Sequence, residues 1–228
     1  MKKIFKYIFA GMAAMSVVAC SEDALETSPS SSVSGNELLG TATNALVSLN
    51  GVYRAMYTAG VSNSSNTHQC FGITAYNLVA DVMGEDCIMN GQGSGWVLYD
   101  CVYNVKSRYT STGWRSYDMW NGYYTWISNV NYILAEEETM SGSETEKNYV
   151  LGQAYAVRAY SYFMLAQMFS RTYKGHESEP CVPLYTEPTD IATEGKGRAT
   201  VEEVYQQITS DLDKAITMLG NSGKRKHI

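Results

Sequence analysis

Leu151-Gly-Gln-Ala-Tyr-Ala-Val-Arg-Ala-Tyr-Ser-Tyr-Phe-Met-Leu-Ala-Gln-Met-Phe169 decides the fold class. Leu151, Tyr155, Arg158, Tyr162, Leu165 and Phe169 recur at steps of four and three, the period of one helix face. Upstream, Ser143 and Glu146 form a capping box, in which hydroxyl and carboxylate satisfy free amides at a helix start. Arg158 interrupts the apolar stripe, so its head must snorkel or meet a carboxylate. A structural ion pair is the expected answer, ahead of ligand contact.

Further helices flank this one. Thr200 and Glu203 make a second capping box, opening a helix lined by Val201, Tyr205, Ile208, Leu212, Ala215 and Leu219, with Gly220 placed to stop it. Trp120, Tyr124, Ile127, Asn131 and Leu134 form one stripe of a helix over residues 116–137. Ala42, Ala45, Leu49, Val52 and Met56 predict a first helix ending near Tyr57, and Ile73, Tyr76, Ala80 and Met83 a short second one. Residues 60–69, 84–95 and 175–197 read as connections rich in polar residues, glycine or proline. Helix pairs without a convincing strand predict an all-α, solenoid-like fold.

The first nineteen residues stand apart. Lys2, Lys3 and Lys6 precede an apolar run, Tyr7 to Ala19, too short to span a bilayer, and Val17-Val18-Ala19-Cys20 has the form of a lipoprotein processing site. Residues 1–19 are therefore expected to be a signal peptide, with Cys20 the lipidated first residue of the mature chain. Residues 20–38 are a serine-rich tether spanning roughly 20–25 Å, and residues 39–228 are the folded region. Losing the three leader lysines takes the formal charge from −6 to −9, which argues against nucleic acid. Four cysteines remain, Cys70, Cys87, Cys101 and Cys181, and export would permit two disulfides.

No phosphate loop, HExxH or GxSxG motif is present, and His68, His176 and His227 show no ligand spacing. The expectation is no catalytic residue, no metal and no cofactor. Asp81, Glu85, Asp86 and Asp100 are explained better by solvation than by a glycosidase pair.

All four tryptophans and seven of the eighteen tyrosines lie between Trp96 and Tyr132. Such residues either fill a helical core or offer rings on which hydroxyl-bearing ligands stack. Trp114, Trp120 and Trp126 sit on or beside helical stripes and are expected in the core.

The Leu151–Phe169 helix with Cys181-Val-Pro-Leu184 resembles the "A-x-x-x-R-A-x-x-Y-F-x-L" helix and "V-P-L" exit of SusD/RagB-like proteins. Arg198 to Ile216 is similar to that family's "R-x-T-x-x-E-V-Y-x-x-I-x-x-D-L" helix, and Trp120 to Leu134 to its "Y-x-x-I-x-x-x-N-x-I-L" pattern. The resemblance implies tetratricopeptide-like helix pairs with a loop-rich ligand surface. It also implies a lipid-anchored protein on the outer face of a Bacteroidetes outer membrane. Such a protein binds glycans or sometimes peptides and partners a SusC-like TonB-dependent transporter, without catalysis. Members are about twice as long, so an incomplete SusD-like fold is expected here. The family's ligand loop maps onto residues 86–103, making Trp96 the leading stacking candidate, with Tyr99, Asn90 and Asp86 as polar neighbours. Gly91, Gly93 and Gly95 would let that loop shape itself around a sugar.

Overall fold

A computed structural model describes residues 39–60, 69–84, 87, 97–102 and 113–222, without the side chains of Tyr99 and Trp114. The leader, Cys20 and the tether lie outside the described residues. The described chain has six helical segments: α1 (Ala42–Ala55), α2 (Ile73–Met83), α3 (Leu98–Cys101), α4 (Trp114–Ala135), α5 (Glu144–Phe169) and α6 (Val201–Asn221). Extended pairing among these residues is limited to two isolated bridges, Thr41 with Ser141 and Pro180 with Thr200. The all-α expectation holds.

Local chemistry sets the helix starts. Thr41 caps α1 by accepting the Asn44 amide at 3.2 Å. Ser143 Oγ accepts the Glu146 amide at 3.3 Å while Glu146 Oε2 accepts the Ser143 amide at 3.1 Å. Thr200 and Glu203 repeat the arrangement at 3.2 and 2.7 Å. Each cap is worth about 1 kcal/mol.

The long helices run antiparallel, because contacts rise along one partner as they fall along the other. On α5 and α6, Arg158 meets Asp211 and Phe163 meets Tyr205. A Cβ added to Gly152 would lie 2.8 Å from Leu219 Cγ, so that glycine lets the two helices close. On α4 and α5, Trp120 meets Phe169, Tyr124 meets Tyr162 and Asn131 meets Arg158. Helix α5 sits in the middle and is buried on several sides, with Val150, Ala154, Val157 and Ala159 enclosed beyond the expected stripe.

The core between α2, α4 and α5 is aromatic. Tyr76, Tyr123 and Trp126 are fully buried, with Tyr123 and Trp126 edge to face at 5.0 Å. Trp120 is half-buried between Tyr124 and Phe169. Both tryptophans therefore pack as expected, and the Trp114 side chain lies outside the description. Gly122 is what lets Tyr76 in: a Cβ there would stand 2.4 Å from the tyrosine hydroxyl, which donates to the Asp118 carbonyl at 3.0 Å. Gly122→Ala is expected to cost about 1–3 kcal/mol by overpacking. Urea unfolding should show it, and the cost should shrink in a Tyr76→Phe background, where the obstructing oxygen is gone.

Three expectations need correction. The buried side of α2 is Ala75, Tyr76 and Val79, with Ala80 exposed. Eleven residues carrying apolar groups on adjoining stripes do not specify which stripe turns inward, and docking of Tyr76 on α4 decides it. On α6 the buried line is Val201, Val204, Ile208, Asp211 and Ala215, whereas Leu212 is exposed. A count of apolar residues passes over Asp211, which Arg158 draws inward. Helix α6 also runs one residue beyond Gly220, to Asn221. The four cysteines are free in this structure, with Cys70 and Cys181 buried.

Candidate functional site

The segment carrying the sequence candidates is anchored at its foot by buried polar groups. Arg115, on the first turn of α4, reaches the Gln69 carbonyl at 3.0 Å and Gln69 Oε1 at 3.4 Å. Its Nη2 also donates to Asp100 Oδ2 on α3 at 3.2 Å. Gln69 Oε1 in turn accepts the Val97 amide at 3.3 Å. One guanidinium thus ties the turn before α2, the short α3 and the start of α4 together. Both partners are about 5% exposed, so the pair is shielded from solvent and salt.

Asp100 is therefore a correction. Its sequence context reads as solvated surface, yet it is buried and ion-paired. The acid and its partner lie fifteen residues apart with no local pattern linking them, so spacing gave no signal.

Val97 has φ of 47°, in the left-handed region that β-branched residues avoid. The conformation costs about 1–3 kcal/mol and is sustained by its surroundings. The Asp100 and Cys101 amides close on the Val97 carbonyl at 3.0 Å each, and Gln69 holds its amide. The chain therefore enters α3 in a fixed direction immediately after residue 96. A glycine would have advertised such a backbone; valine does not.

Beside this anchor a cavity of about 550 Å³ opens between α2, α4 and the end of α5. Tyr76, Val79, Met83, Met119, Met168 and Phe169 form its walls, and Arg115 reaches its edge. The lining is mostly ring and thioether, surfaces that accept an apolar face and adapt to its shape. Cys70 lies behind the anchor, and burial, then the neighbouring Asp118 carboxylate, pushes its thiol up to about 12 while Arg115 pulls the other way. It is a buried neutral thiol without reactive character.

Of the predicted site residues, Tyr99 is in α3 by its backbone. Trp96, Asn90, Asp86 and the side chain of Tyr99 lie outside the described residues, as does His68. Gln69, Val97, Asp100 and Arg115 are the additions that only the three-dimensional arrangement reveals. Among the described residues no cluster of three or more His, Cys, Asp or Glu could hold a metal ion. No described helix is long and apolar enough to cross a membrane.

Residues 75–227 match the profile of the SusD-like family described as "Starch-binding associating with outer membrane". Among solved structures, a SusD-like carbohydrate binding protein from Bacteroides vulgatus is 26% identical with a TM-score of 0.71. The match covers 82% of this chain and 38% of that one. A SusD superfamily protein from Bacteroides thetaiotaomicron shares the fold at 24% identity and TM-score 0.57, covering 78% of this chain and 37% of its own. Bacteroides fragilis NanU does so at 23% and 0.54, covering 85% and 34%. The chain thus spans 34–38% of the length of these solved relatives. No curated protein matches it. The matched span takes in α3 to α6 and most of α2, the aromatic core and the Arg158 helix, and on that ground the chain belongs to the SusD-like family.

Proposed function

We propose that this protein is a non-catalytic cell-surface lipoprotein that binds glycans, starch-like or other oligosaccharides, and delivers them to a SusC-like TonB-dependent transporter. The family match over residues 75–227 carries this reading, since the family's own description joins starch to the outer membrane. The leader supplies the address: residues 1–19 direct export, Cys20 takes the lipid, and residues 20–38 tether the body outside the outer membrane. Several acyl chains on one cysteine hold far better than a single chain, which binds reversibly.

The ligand lies on residues 86–103, the segment that runs into α3. The Trp96 ring stacks on the apolar face of a sugar, while Asn90, Asp86 and Tyr99 take its hydroxyls. The Gln69–Arg115–Asp100 anchor supports this assignment, because it sets the direction of the chain at the residue following Trp96. Fixing that direction before a ligand arrives reduces the ordering cost of binding.

Titration with a polysaccharide panel tests the reading. Quenching of tryptophan fluorescence is expected with at least one glycan, and Trp96→Ala should lower affinity by about tenfold or more, a loss of at least ~1.4 kcal/mol. Exposed Leu212 and Ile216 on α6 favour a second reading, a helical-repeat surface lipoprotein that mediates only protein–protein assembly. Silence across the panel with retained binding to a barrel partner would select it.

A further inference from the structure

The connection between α5 and α6 is pinned by side chains that α4 and α5 aim at its backbone. Tyr124 donates to the Pro183 carbonyl at 2.7 Å, and Tyr162 donates to the Tyr185 carbonyl at 2.8 Å while accepting the Tyr185 amide at 2.7 Å. Asn131 donates to the carbonyls of Tyr185 and Glu187 at 2.8 and 3.1 Å, and Arg158 to that of Thr186 at 3.0 Å. Tyr132 completes the set on the Thr189 carbonyl at 2.8 Å. A surface connection ordinarily leaves such carbonyls to water. Here they are spent on holding one conformation.

That conformation borders an open cavity of about 260 Å³ against α4. Tyr124 and Tyr185 form an aromatic corner, their rings 6.1 Å apart and 84° to one another. Ser128, Thr189 and Thr193 bring hydroxyls to the rim, and Asp190 a carboxylate. The two bonds on Asp190 Oδ1, from the Ala192 amide and the Thr193 hydroxyl, fix how the carboxylate is presented.

We propose that this cavity is a second binding site, for a single uncharged pyranose-sized ring, free or at the end of an oligosaccharide. Two perpendicular aromatic walls fit a ring whose axial C–H face is apolar and whose edge carries hydroxyls. The Ser128 and Thr189 hydroxyls bond one another at 3.3 Å, and Thr193 Oγ1 is engaged with Asp190. The rim therefore offers a polyol the remaining lone pairs of these hydroxyls, the one hydroxyl proton left over from the Ser128–Thr189 pair and the second oxygen of the Asp190 carboxylate. The volume lies below the roughly 300–1,000 Å³ of sites for larger ligands, which limits the occupant to one ring. Because the wall is pinned beforehand, little ordering accompanies binding. The site uses none of the residues assigned to the Trp96 segment and stands independently of that reading.

Saturation-transfer NMR with glucose, galactose, mannose, their methyl glycosides and maltotriose tests it. Transfer is expected at about millimolar affinity. It should persist in Trp96→Ala and weaken about tenfold or more in Ser128→Leu, which fills the cavity, and in Asp190→Asn, on an exposed turn whose loss does not threaten the fold. Transfer to the monosaccharides identifies a free-sugar site, and transfer to the methyl glycosides and maltotriose alone a chain-end site; either supports the proposal. Absence of transfer from the whole panel overturns it. So does undiminished transfer in both cavity variants, or loss of the monosaccharide signal in Trp96→Ala. Loss of polysaccharide quenching with monosaccharide transfer retained removes only the Trp96 reading.

Discussion

Asp211→Ala is expected to destabilise the protein by about 3–5 kcal/mol, because it strands a cation in the interior. Arg158 Nε and Nη2 donate to the two oxygens of Asp211 at 2.8 Å each, a fork-to-carboxylate pair with side chains 6% and 1% exposed. The remaining nitrogen, Nη1, already serves Asn131 Oδ1 at 2.8 Å and the Thr186 carbonyl at 3.0 Å. Alanine therefore leaves two guanidinium donors facing protein instead of solvent. For a domain of this size, the loss corresponds to a drop of about 10 °C in midpoint temperature.

The loss should also travel. Asn131 uses its oxygen for Arg158 and its nitrogen for the Tyr185 and Glu187 carbonyls, so a displaced guanidinium loosens the α5–α6 connection. Faster hydrogen exchange in the described residues around Tyr185 should accompany the lower midpoint. The double replacement Arg158→Met with Asp211→Leu separates the burial of charge from the loss of contact. It removes both charges at once and is expected to cost less than Asp211→Ala alone. If the single change lowers urea stability by less than about 1 kcal/mol, the pair is not a structural keystone.

How far the amino-acid order discloses this fold follows from how local each determinant is. The starts of α5 and α6 are legible because a hydroxyl and a carboxylate three residues apart complete their caps without outside help. Helix α1 is legible because its single buried face repeats Ala42, Ala45, Leu49 and Val52. Arg158 announces that it needs a carboxylate. It does not say which, because Asp211 lies fifty-three residues away on another helix. Gly72 is equally silent: a Cβ there would sit 1.9 Å from the Met56 carbonyl, where α1 hands the chain to α2. That closeness exists only once both helices are placed.

The candidate site divides in the same way. Rings, glycines and amides around Trp96 can be read from composition and resemblance. Its foundation cannot, since Gln69, Asp100 and Arg115 meet from three separate stretches of chain. Among the tryptophans, Trp126 goes to the core because it shares a helix face with Tyr123 across from Tyr76.

Alkaline unfolding offers the second large effect, and its sign follows from which protonation state the interior tolerates. Burial raises the Tyr123, Tyr124 and Tyr162 phenols above their ordinary value of 10.0, and lifts Cys70 from 9.0 to about 12. In each case the folded state keeps a proton that the unfolded chain releases at lower pH. Their contribution is therefore complete below about pH 9 and is lost progressively as pH rises toward the folded values. Each group gives up about 1.4 kcal/mol per pH unit above its unfolded value. Four together remove several kcal/mol by about pH 11, a large part of the 5–15 kcal/mol typical of a domain. Urea midpoints should thus fall steeply between about pH 9 and pH 11, and the share of tyrosinate absorbance that belongs to the buried phenols should appear with unfolding. Tyr162→Phe should be less stable at neutral pH, having lost its bond to the Tyr185 carbonyl, yet show a shallower slope by one proton. An unchanged slope would remove Tyr162 from the set of buried phenols that resist ionisation.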